Sequence, residues 1–154
     1  MARNTFQGLV RSLGGAMRED GVTPVPVTQS VVISFSPTAG TATPVRIGTS
    51  ATVGNTLTLP AGAVPISILT IGGATGGTNP TVDIGTAASP EGFFNEVDAD
   101  TRGVLQGANG TLTGGTGLTV PTVVTGRVGA SAATGGTFTG VLTYTVFDNG
   151  DQLN

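Results

Sequence analysis

The sequence predicts an all-β fold, a β-sandwich or jelly roll preceded by an extended arm. Three observations carry this. Short apolar–polar alternations recur along residues 25–146, the period of a half-buried strand. The chain holds 26 glycines, which punctuate those alternations as turn signals. It also holds 27 threonines, whose β-branch suits strand geometry and whose hydroxyl tolerates water without a charge.

The elements follow in order. Phe6, Leu9, Val10, Leu13 and Met17 recur at helical spacing, with Arg11 and Arg18 on the opposite side, so residues 5–18 are expected to form a short amphipathic helix. Asn4 or Thr5 can cap it, and Gly14-Gly15 weakens it. So short a helix is marginal alone and must dock, on its own body or on a neighbour. Pro24 and Pro26 then favour an extended connector. The expected division is an arm over residues 1–26 and a sandwich domain over 27–154.

Val25, Val27, Val31, Ile33 and Phe35 alternate in the first strand of the body. Val45 with Ile47, and Leu57 with Leu59, mark two short ones. The run Ile66–Ile71 is nearly continuous in apolar residues and reads as a buried strand. Val82 and Ile84 mark another. Leu118, Val120 and Val124 mark a further strand broken by Pro121, which suits an edge or bulge. The last is the clearest: Phe138, Leu142, Tyr144 and Val146 share one face, and Thr137, Thr139, Thr143 and Thr145 the other. Thr-Gly-Gly-Thr occurs at 75–78, 113–116 and 134–137; the uneven spacing indicates hairpin tips, with Asn109-Gly110 and Asn149-Gly150 as turn dipeptides. Ser89-Pro90-Glu91 has an N-cap, a proline at the first helical position and an acid in the first turn, so a helical fragment is expected there, with Phe93 and Phe94 plugging the core.

The composition excludes much chemistry. There is no histidine, cysteine or lysine. That removes Ser-His-Asp and Cys-His catalysis, the usual zinc ligands, Schiff bases, Walker A loops and disulfides. Charged residues are 10% of the chain, against about 25% in ordinary domains. The net charge of −3 argues against a general nucleic-acid binder. No apolar run is long enough to span a membrane, and no secretory leader is expected. The charge is unevenly placed. Residues 1–18 hold three arginines and no acid, giving +3; residues 19–154 hold three arginines and nine acids, giving −6.

Asp83, Glu91, Glu96, Asp98 and Asp100 form an acidic cluster in sequence. Asp98-Ala99-Asp100-Thr101-Arg102-Gly103 begins like a calcium loop. It departs at the fifth position, Arg102, and at the twelfth, Asn109; a solvated surface or an ion pair with Arg102 is expected instead. Paired carboxylates for glycoside hydrolysis usually sit in aromatic-lined clefts, and this chain has one tyrosine and no tryptophan. No enzyme activity, cofactor or metal is expected.

Two segments carry a resemblance. Asn79–Phe93 (NPTVDIGTAASPEGF) runs from a strand through Gly-Thr-Ala-Ala to a proline-led aromatic turn, and Thr134–Thr137 opens an alternating strand to Phe147. Both resemble small virion structural proteins of tailed bacteriophages. The resemblance implies a cement, or decoration, protein: a non-enzymatic homotrimer that binds the major capsid protein on the virion surface after assembly in the host cytoplasm, through a terminal arm. The partner-binding candidates are Arg3, Phe6, Leu9, Val10, Arg11, Leu13, Met17 and Arg18, with no nucleic acid or membrane involved. The rival readings are a tail or head-fibre component and, from another class, a carbohydrate-binding β-sandwich module.

Overall fold

The computed structural model of the chain describes residues 10–12, 15–17, 24–75, 78–113, 117–130 and 135–146. The described residues are almost entirely β. Three short strands come first: β1 (Val10–Ser12), β2 (Gly15–Met17) and β3 (Pro24–Val25). They pair antiparallel in that order, with Val10 opposite Met17 and Ala16 opposite Val25. This corrects the expected helix: where residues 5–18 are described, they are strands. Phe6, Leu9, Leu13, Arg3 and Arg18 lie outside the described residues.

The body is built on two larger antiparallel sheets. Its strands are β4 (Val27–Phe35), β5 (Thr43–Pro44), β6 (Arg46–Ile47), β7 (Thr58–Leu59), β8 (Ala63–Thr75), β9 (Thr81–Gly85), β10 (Phe94–Asp98), β11 (Leu105–Gly107), β12 (Thr122–Val123), β13 (Thr125–Val128) and β14 (Gly135–Val146). One sheet is five-stranded, in the order β11-β8-β14-β4-β6; the other is four-stranded, β10-β9-β13-β5; β12 and β7 form a small pair. The order corresponds to antiparallel sheets around one core.

Alternation assigns the core. Ile33, Phe35, Ile68, Phe138, Leu142, Tyr144 and Val146 from the five-stranded sheet are buried together with Val82, Ile84, Phe94, Val97 and Val128 from the four-stranded sheet. The Phe35 and Phe138 rings stack tilted, with centroids 5.3 Å apart, a separation at which aromatic pairs attract. Gly126 of β13 lets the second sheet approach: a Cβ there would collide with the Phe35 ring. Thr70 ties the sheets together from the inside, its Oγ1 donating to the Asp98 carbonyl at 2.7 Å. Tyr144 remains at the core margin because its hydroxyl donates to Gln29 Oε1 at 2.8 Å; burial pushes its pKa up.

Four further expectations are corrected. β8 is not buried on both faces: Ile68 is buried but Ile66 is 42% exposed, and register shifts against β14 bend the strand. Ser89-Pro90-Glu91 forms a turn closed by Gly92 N–H donating to the Ser89 carbonyl at 2.9 Å. Phe93 and Phe94 nonetheless fill the core, as expected. Gly135 and Gly136, expected at a hairpin tip, lie inside β14 opposite Thr75 and Ala74. Asn109-Gly110 is not a hairpin turn but a brace: Asn109 Oδ1 accepts from Asn95 N–H at 2.8 Å, and Gly110 N–H donates to the Phe93 carbonyl.

Candidate functional site

Among the described strands of the body, every acid lies on the four-stranded sheet, together with Arg127, while Arg46 lies on β6 of the other sheet. Asp83 sits in β9 between the core residues Val82 and Ile84, so alternation turns it to the outer face. Register places Arg127 of β13 directly opposite it. The Arg127 Nε donates to Asp83 Oδ2 at 3.0 Å, and its Nη2 donates to Glu91 Oε2 at 3.2 Å. On the other side a bulge in β10, between Phe94 and Val97, holds Glu96 at a φ of 55°, a costly region for a non-glycine residue. The bulge brings the Glu96 backbone N–H to Asp83 Oδ1 at 3.0 Å. The Asp83 side chain is only 4% exposed, and both its oxygens are thereby satisfied.

These residues line an open groove of about 330 Å³, with Gly40 and Gly129 at its rim. Its chemistry is that of a clamp. Arg127 occupies the two carboxylates that face it, and the cluster fastens β9, β10, β13 and the turn at residues 89–92. Among the described residues no group of three or more acids is arranged to hold a metal ion. The segment that begins like a calcium loop turns inward instead: Asp98 Oδ1 accepts the backbone N–H groups of Asp100 and Thr101 at 3.1 and 2.8 Å. Burial acts to raise the Asp98 pKa, but the hydrogen bonds from Thr101 and Asp100 outweigh it and hold the carboxyl below its ordinary value. The expected Arg102 ion pair is replaced by a hydrogen bond from its Nε to the Ile71 carbonyl. Arg127 is the cation that sequence reasoning missed. It lies 44 residues from Asp83, and only the pairing of β13 with β9 makes them neighbours.

Of the arm candidates, the structure brings Val10 opposite Met17 and places Arg11 opposite Ala16; the others fall outside the described residues. The arm and the acidic cluster are not joined by any described strand pairing.

No protein-family model matches the chain, and no curated protein matches it. Among solved structures it is similar to a chain of the cyanophage Pam1 capsid asymmetric unit, at a TM-score of 0.53 and 20% identity, over 95% of this chain and 97% of that one. At that identity the likeness is one of fold, and it extends over nearly the whole of both chains.

Proposed function

We propose that this protein is a non-enzymatic cement, or decoration, protein of a tailed-bacteriophage head, which binds the major capsid protein shell at the virion surface as a homotrimer. The observation that carries the reading is the near end-to-end likeness of fold to a chain from a phage capsid asymmetric unit. The division of labour is an arm over residues 1–26 and a body over 27–154. Two features support it. The arm is basic and the body acidic, so the arm suits a partner that presents carboxylates. The strands β1, β2 and β3 form a sheet of their own, and so small a sheet needs a surface to cover it.

The mechanism is mechanical. Phe6, Leu9, Val10, Leu13 and Met17 anchor the arm by burial, and Arg3, Arg11 and Arg18 pair with acids. Binding only to the assembled shell stabilises that shell by linkage. Deleting residues 1–20 removes β1 and β2 but leaves the β4–β14 ladder intact, so the expected product is a folded body that no longer co-sediments with shells. Unchanged co-sedimentation refutes the arm's role. Stoichiometry by mass spectrometry of purified virions tests the location: hundreds of copies are expected for a cement protein, and a dozen or fewer point to a tail or fibre part.

A further inference from the structure

The outer face of the five-stranded sheet is apolar where an isolated acidic protein would carry charge. Register aligns one row across four strands: Leu105 of β11 is opposite Leu69 of β8, Leu69 is opposite Val141 of β14, and Val141 is opposite Val32 of β4. Leu105 is 67% exposed and Val32 36%. The bulge in β8 adds Ile66, 42% exposed, next to Ser67 beyond the following row. The next row is uncharged too. Ser67 lies opposite Thr143, and Thr143 opposite Ser30, where the two hydroxyls bond each other at 3.0 Å. Those groups enter an interface partly satisfied, which lowers the cost of removing water from them.

Charge says what can cover this face. Strands β4, β8, β11 and β14 contain no acid and no arginine, whereas β9, β10 and β13 carry Asp83, Glu96, Asp98 and Arg127. The body, residues 27–154, holds three arginines and seven acids and sums to −4, so two bodies repel unless one of them offers a surface without acids. The face holds no acid, and its one strand charge is Arg46 of β6, opposite Ser34 at the sheet edge; such a surface suits the acidic body of a second copy, and its contiguous apolar row is of the kind that marks a protein interface. We infer that the outer face of the five-stranded sheet is buried against a second copy of this chain. This names a face for the self-association included in the proposed function, and it rests on that reading only for the number of copies.

Sedimentation of the isolated full chain over a range of concentrations tests it. The expected result is a reversible assembly of fixed size, with a dissociation constant raised at least about tenfold by Leu105→Glu combined with Val141→Glu. Val120→Glu, at an apolar residue 60% exposed outside these strands, is expected to leave association unchanged. Far-UV circular dichroism checks that the double variant folds; if it does not, Leu105→Ser at the sheet edge is expected to weaken association in the same direction. A wild-type chain that stays monomeric at all concentrations overturns the inference. So does an assembly indifferent to the folded variants. If the chain is monomeric and the double variant loses shell binding, the face belongs to the shell; the inference then fails while the cement reading stands.

Discussion

The two large sheets share one core and differ in everything outside it. The four-stranded sheet turns Asp83 and Arg127 outward and locks them to each other, to Glu91 and to the backbone N–H of Glu96. The five-stranded sheet turns outward threonine, serine and aliphatic side chains, with no charge on four of its five strands. The difference teaches that composition alone does not say where a protein is sticky. At 10% charged residues the whole chain is sparsely charged, yet the acids of its described body strands all lie on one sheet and leave the other with Arg46 as its one strand charge.

Three substitutions separate what the sheets share from what they do not. The largest effect is expected in the common core. Phe138→Ala removes a fully buried ring packed on Phe35 and is expected to cost about 3–5 kcal/mol in urea unfolding; a loss below about 1 kcal/mol would mean that the sheets do not pack through this pair. Next comes the charged face. Arg127→Ala leaves Asp83 buried with only the Glu96 N–H, and about 1–3 kcal/mol is expected to be lost. Glu91→Gln in the same assay is expected to cost under about 1 kcal/mol, since Glu91 is half-exposed. Equal losses for the two would show that Asp83 is not the member that matters.

The smallest effect is a pH dependence. The Asp98 pKa is lowered in the folded protein from an ordinary value of 3.8. Its hydrogen bonds therefore contribute stability above that value, and the contribution is lost as pH falls through the lower, folded value. Asp98→Asn is expected to flatten the acid end of the stability curve by slightly lowering stability at neutral pH while leaving the most acid end nearly unchanged, as followed by thermal melts at graded pH. An unaltered acid slope would remove Asp98 from the account.

Much of the fold was legible. The alternation Phe138, Leu142, Tyr144, Val146 named a core face correctly, because a strand with one wet side must alternate. The arm was misread where it is described. A helix-period stripe broken by Gly14-Gly15 gives a marginal helix, and strand pairing with residues 24–25 competes with it. The segment Ser89-Pro90-Glu91 was misread for a different reason. A proline at the first helical position and a proline at the second position of a tight turn adopt the same φ, so local signals cannot separate them.

The sequence by itself determined the class of structure and the exclusions. Period-two patterning requires strands, and the absence of histidine, cysteine and lysine removes whole families of chemistry, since both are properties of residue type and local order. Tertiary structure decided which acid meets which arginine and which apolar residues stay uncovered. Asp83 finds Arg127, and Ile66, Leu69 and Leu105 reach the outer face, through strand order, register and bulges. Those are set by long-range pairing, in which a shift of one residue reverses the face every side chain presents.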